Sequence, residues 1–183
     1  MRLFKLFFTA AFLLSMDAYA EIVKDGDDSS VVATIAGPAG MVINAESKDI
    51  NVSDEGSTLS VTISSFSFKT GIGLRDKHLA DAIESRNYPS MTVAFVDSDV
   101  KIPTSEDSEH RIVPATLTFH GVTRSVKIDY VAATDCDGHI GVNADFDIDI
   151  REYGVVPPSY LGVGIKPIVH IHTWIRLIDI DGC

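Results

Sequence analysis

The chain has little of what a nucleic-acid binder, a membrane-spanning protein or a common hydrolase needs. Positive charge is scarce: 15 lysines and arginines face 26 aspartates and glutamates, a formal charge of −11. That field repels phosphate backbones and anionic membrane surfaces unless a basic patch overrides it, and the sequence has no such patch. Nucleic acid is therefore not an expected partner. The apolar run from Leu6 to Met16 is shorter than the ~20 residues that cross a bilayer, so no stable membrane insertion is expected. Gly-x-Ser-x-Gly elbows and phosphate-binding loops are absent, and neither cysteine lies beside a histidine in sequence as a nucleophile would. The two cysteines are Cys136, in a turn, and Cys183, the last residue. They are either a disulfide tying the C-terminus to the turn around Asp135 to Gly138, or two independent thiols. Both readings stay open.

The N-terminus reads as an export leader. Arg2 and Lys5 supply a positive start, Leu6 to Met16 the apolar stretch, and Ala18-Tyr19-Ala20 the small-x-small cleavage pattern. The residue immediately after the cleavage point is Glu21 and not cysteine, which argues against an acylated lipoprotein. Residues 1–20 are thus expected to be a signal peptide and 21–183 one mature domain, long enough to bury a core. Without Arg2, Lys5 and Asp17, 13 basic residues face 25 acidic ones. The expected location is the periplasm or the exterior.

What the sequence has in quantity is alternation. Glu21 to Ser30 is polar and reads as a solvated entry segment. Val31 to Ile35 and Met41 to Ala45 flank the turn signal Gly37-Pro38-Ala39-Gly40 and suggest a hairpin. Leu59, Val61 and Ile63 alternate with polar residues, the period of a strand with one buried face. Ser64 and Ser65 break that phase and predict a bulge, after which Phe66 and Phe68 continue inward. Met91, Val93 and Phe95 form a further strand. Val113, Ala115, Leu117 and Phe119 form another, with Pro114 marking an edge or bulge. Val126, Ile128 and Tyr130 follow. His139 to Ile150 is the clearest strand, with Ile140, Val142, Ala144, Phe146, Ile148 and Ile150 on one face. After a long loop, Gly154 to Gly164, the strand from Pro167 to Leu177 sets Val169, Ile171, Ile175 and Leu177 against His170, His172, Trp174 and Arg176. About eight strands with turn-rich connections predict a mainly β, antiparallel barrel or sandwich.

One stretch breaks the alternation. From Thr70 to Pro89, Leu79, Ala82 and Ile83 fall at helical spacing, and Asp76 is placed to cap the helix N-terminus. A short helix among strands should cover the end of a sheet.

Three groups of residues could carry chemistry. Arg75, Asp76 and His78 suggest a hydrolase cluster, but a solvated helix start is the simpler reading and no catalysis is expected. His170 and His172, two apart on a strand, point to one side and would hold a metal only if a neighbouring strand supplied a third ligand. An outward polar face is the simpler reading, and no metal is expected. Asp145, Asp147 and Asp149 repeat every second residue, but one strand face does not wrap a hard cation. What remains is an apolar interior, which is a pocket only if the side chains fail to fill it.

Three stretches resemble the YceI-like, polyisoprenoid-binding family. They are the run Thr70 to Leu79 with Asn87-Tyr88-Pro89; Leu117-Thr118-Phe119-His120-Gly121-Val122-Thr123-Arg124; and Ile148-Asp149-Ile150-Arg151-Glu152-Tyr153-Gly154-Val155. The resemblance spans roughly Leu59 to Leu177. It implies an antiparallel eight-stranded lipocalin-like barrel with one short helix, which encloses a long isoprenoid or similar amphipathic lipid and has no established catalytic activity. The inward set that the alternation gives, and that would line such a ligand, is Val61, Ile63, Phe66, Phe68, Val93, Phe95, Leu117, Phe119, Val126, Ile128, Tyr130, Phe146, Ile148, Ile171 and Ile175. Arg75 and His78 would stand at the entrance or meet the headgroup. Residues 21–50 lack the family's tryptophan and its Asp-x-x-His-Ser opening. The acidic charge favours a neutral isoprenoid quinone or another weakly charged polyprenyl lipid over a pyrophosphate. No other cofactor is implied, and a homodimer stays open. The alternative is an exported barrel with a filled core that acts in a stress response or as an interaction partner.

Overall fold

Alternation dictates pairing, and the alternating segments pair into one antiparallel sheet. The computed structural model describes residues 22–103, 107–160 and 163–179. Strands β1 (Ile22–Lys24), β2 (Ser30–Ala36), β3 (Val42–Ser47), β4 (Ile50–Asp54) and β5 (Thr58–Ser64) precede helix α1 (Gly73–Ala82). After it come β6 (Ser90–Val96), β7 (Ser108–Phe119), β8 (Val122–Thr134), β9 (His139–Asp149), β10 (Ser159–Tyr160), β11 (Val163–Gly164) and β12 (Ile168–Asp179). The main sheet runs β3-β2-β12-β9-β8-β7-β6-β5-β4, and β1 adds to β12.

The two ends of this path, β3 and β4, are consecutive in the chain, so the sheet curls back on itself. Glu46 of β3 exchanges backbone hydrogen bonds of 2.8 Å with Lys69, beyond β5, and β1 lies against β4. The result is a nearly closed barrel of nine strands rather than eight. The additional strand is β4, in which Ile50 and Val52 alone gave too little alternation to be legible beside the turn signals. Curling leaves few free edges, which removes sites of intermolecular pairing.

Two further expectations are corrected here. The polar segment at residues 21–30 is not a loose entry: Ile22 pairs with Asp179 and Lys24 with Leu177. The Asp25 N–H also donates to the Arg176 carbonyl at 2.9 Å. Backbone pairing, to which hydropathy is blind, decides this. Ser64 and Ser65 end β5 in a turn instead of bulging it; the Ser67 hydroxyl donates to the Ser64 carbonyl at 2.6 Å. Phe66 is thereby turned outward, 51% exposed, while Phe68 is buried.

The edge expected at Pro114 is present. β6 pairs only with Thr116, Leu117 and Thr118 of β7, so Pro114 lies beyond the reach of that neighbour. At the other end of β7, Phe119 faces Val122 across a two-residue turn. His120 and Gly121 there take φ of 51° and 74°, the backbone of a type I′ hairpin. Inward residues such as Leu117, Phe119, Ile128 and Ile140, all at most 5% exposed, form the core. Each contributes about 1.5–3 kcal/mol by burial. Cys136 lies on an exposed turn. Its proposed bridge to Cys183 falls outside the described residues, as does the leader.

Candidate ligand chambers in the barrel

The inward side chains do not fill the barrel. Two apolar chambers remain along its interior, and Ile171 of β12 lines both. The helix-side chamber, about 160 Å³, lies beneath α1. The far chamber, about 90 Å³, extends toward the other end. An apolar cavity near 150 Å³ can stay dry and admit a molecule the size of benzene. As they stand, therefore, each chamber accepts a short apolar segment, and a longer chain must join the two by moving the side chains between them.

Val61, Ile63, Val93, Phe95, Ile128, Tyr130 and Phe146 line the far chamber, all on the face that alternation assigned. Phe68, Arg75, His78, Phe119 and Ile148 line the helix-side chamber. Leu117 and Val126 pack in the core and line neither, and the outward Phe66 lies apart from both. Ile171, inward by its alternation with His170 and His172, is common to both chambers, and Ile175 lines the far one. The expected lining omits Ala33, Ile35, Ile43 and Ala45 of the first hairpin. Their short runs gave pairing but no hint of a wall.

Each chamber is partly covered at its outer end. At the far end the segment at residues 97–103 folds across the opening and contributes Val100 and Ile102. Tyr130 pins it: its hydroxyl donates to the Lys101 carbonyl at 2.9 Å and accepts from the Lys101 N–H at 2.8 Å. At the near end Leu79, Ala82 and Ile83 of the helical segment face the chamber, as their spacing predicts. The helix itself has no fully buried residue. It is a cover rather than a core element.

Asp76 does not cap α1. The N-cap position is Ile72, with no side-chain bond. The Asp76 carboxylate instead accepts from the Thr70 N–H at 2.7 Å and the Thr70 hydroxyl at 2.6 Å. The hydroxyl bond is the chief cause holding this carboxyl below the usual range. Because the folded pKa is depressed, the contribution is present above the unfolded value and is lost as pH falls through the folded one. Asp76→Asn should accordingly flatten the acid limb of the stability–pH curve and speed amide exchange at Thr70. An unchanged exchange rate there would show that the latch is idle.

Polar groups at the helix-side chamber are confined to Thr70, Arg75 and His78. The Arg75 Nε is buried without a hydrogen-bond partner. Such groups are uncommon because desolvation is uncompensated, so this donor is free to meet an acceptor on a ligand.

The three stretches that carried the family resemblance all contribute to the wall of the helix-side chamber and meet one another beside it. Tyr88 stacks on His120 with ring centroids 4.2 Å apart, and Phe119 lies 5.6 Å from Tyr153. His120 Nδ1 donates to the Tyr153 carbonyl at 3.0 Å. Its Nε2 lies 3.4 Å from Glu84 Oε1. Arg124 Nε donates to the Glu152 carbonyl at 2.7 Å. A Cβ on Gly121 would sit 2.7 Å from the Tyr88 ring, so glycine serves both the turn and the close approach. Burial is the main cause that raises the Tyr153 phenol above its ordinary value, and Glu152 adds to it. These residues form a clasp. They tie the end of the helical segment to the β7–β8 hairpin and to the turn after β9, and so hold the cover over the chamber.

Solved structures of similar shape share little sequence with the chain. A polyisoprenoid-binding domain from Saccharophagus degradans, implicated in plant cell wall breakdown, superposes with a TM-score of 0.74 at 16% identity. The match covers 88% of this chain and 99% of that one. Burkholderia cenocepacia BcnA gives 0.66 at 16% identity, covering 84% and 98%. The Campylobacter jejuni YCEI protein gives 0.51 at 19% identity, covering 96% and 97%. These likenesses establish the fold. No curated protein matches the sequence. The family model described as a YceI-like domain matches residues 25–176, which takes in the barrel, the cover and the clasp. The chain belongs to the YceI-like domain family.

Proposed function

We propose that the barrel binds or carries an amphipathic lipid with a long apolar chain, an isoprenoid or a close analogue, in the periplasm. The observation that carries this reading is the pair of apolar chambers meeting at Ile171, with the basic side chains Arg75 and His78 at the helix-covered end alone. The chain would lie along the chambers and its headgroup beside Thr70, Arg75 and His78. An unpartnered Arg75 Nε suits a hydrogen-bond acceptor, such as a quinone carbonyl, and the acidic protein disfavours a more highly charged group. Leu74, 66% exposed, and Val156, 80% exposed, adjoin the lining residues Arg75 and Val155. They give the mouth an apolar rim over which a lipid can pass. The unfilled interior supports this reading over a filled-core interaction protein.

Organic extraction of the purified protein, followed by mass spectrometry, should release an isoprenoid or similar lipid. Native mass spectrometry should show the matching adduct. An apo mass, with no uptake of added quinone or polyprenol, would overturn the proposal.

A further inference from the structure

The outer wall of the barrel carries a second constellation, unrelated to the chambers. β9 and β12 are paired so that His172 lies directly opposite Asp145, and His170 opposite Asp147. The neighbouring strand thus supplies the third ligand that a two-apart histidine pair requires. One oxygen, Asp145 Oδ1, lies 2.8 Å from His172 Nδ1 and 3.2 Å from His170 Nε2. Donor atoms around a tetrahedral ion at 2.0–2.1 Å stand about 3.4 Å apart. These separations are close to that spacing. The two imidazole nitrogens are more than 4.8 Å apart, so a bound ion requires both side chains, 49% and 45% exposed, to rotate toward each other.

The other nitrogen of His170 is braced. Its Nδ1 lies 2.8 Å from Asp147 Oδ1. His170 thus stands between two carboxylates, and either an N–H on each nitrogen or a cation between Nε2 and Asp145 Oδ1 satisfies both contacts. A carboxylate holding the far nitrogen is also the arrangement that orients metal-bound histidines. Asp129 lies directly opposite Asp145 on β8, and its Oδ1 is 2.6 Å from His110 Nε2. Among the described residues, Asp129, Asp145 and Asp147 pair with histidines and with no lysine or arginine.

We propose that Asp145, His170 and His172 form a binding site for a divalent transition metal of the zinc class. Asp147 is the positioning residue, and a fourth position is open to solvent. Two imidazoles and one carboxylate select zinc-like ions over calcium or magnesium, which prefer all-oxygen shells. The site is the reverse side of the chamber wall, because Asp145 and Asp147 flank Phe146 while His170 and His172 flank Ile171. It does not depend on the lipid reading.

Calorimetric titration of zinc into chelator-treated protein tests this. One ion should bind per chain, with no heat from calcium. His172→Ala and Asp145→Asn should abolish binding, and Asp147→Asn should weaken it roughly 10–100-fold. All three positions are solvent-accessible, so far-UV melting curves of the variants should overlay that of the parent. The turn bearing Asp135, Asp137 and His139, whose ligand atoms lie within 4.8 Å of one another, is the competing location. There the Asp135 carboxylate already accepts from the N–H groups of Asp137 and His139, so His139→Ala should bind zinc as the parent does. Absence of heat above dilution, parent-like binding by His172→Ala, or loss of binding in His139→Ala each overturns the assignment.

Discussion

Replacing Ile171 by tryptophan should empty the barrel of lipid while leaving it folded. Ile171 faces Phe146 on β9 and Ala33 on β2, and it lines both chambers. A bulky ring projecting there fills the passage through which any long chain must run. In a tightly packed core such overpacking costs about 1–3 kcal/mol. Here the adjoining space of about 160 Å³ and 90 Å³ can take up the ring, so the cost should fall at the low end. The expected result is at least a tenfold drop in extractable lipid per protein, with the melting temperature close to that of the parent. Ile171→Ala should do the reverse. It widens the passage and keeps or raises lipid content, but destabilises by roughly 2 kcal/mol, the low end of the range for removing such a side chain, because Ile171 is already only partly buried. Undiminished lipid in the tryptophan variant would place the ligand elsewhere.

Tyr153→Ala should be the most damaging single substitution for stability. The side chain is 2% exposed and packs on Phe119, and its backbone carbonyl receives His120 Nδ1. Truncating a buried aromatic costs about 3–5 kcal/mol, a large part of the 5–15 kcal/mol that holds a typical domain together. Urea titration followed by circular dichroism should show the midpoint fall with little change in slope. Loosening the clasp should also free the cover, so amide exchange in α1 should rise before global unfolding does. A loss below about 1 kcal/mol would mean that the clasp does not stabilise the fold. Tyr153→Phe keeps the ring and should retain most of the stability, which separates packing from the hydroxyl.

Which parts of this were legible beforehand follows from what each signal encodes. Period-two alternation is a local property, so the sequence by itself determined which faces of β5, β6, β8, β9 and β12 turn inward, and twelve of the fifteen expected lining residues border a chamber. Helical spacing likewise placed Leu79, Ala82 and Ile83 against the interior. Elements too short to alternate, β1 and β4, escaped notice because backbone pairing with distant strands holds them. Phe66 was misassigned because a turn, rather than a bulge, ends β5.

Register was beyond reach altogether. Nothing within β9 or β12 alone says that Asp145 stands opposite His172, and only that pairing brings two histidines and two aspartates into one cluster. The same holds for the clasp. His120, Tyr88 and Tyr153 are far apart in sequence, and closure of the sheet brings them together. Local chemistry sets which way a side chain points. Closing the sheet into a barrel sets what it meets, because contacts between distant segments depend on how strands are paired and not on any one strand's own pattern.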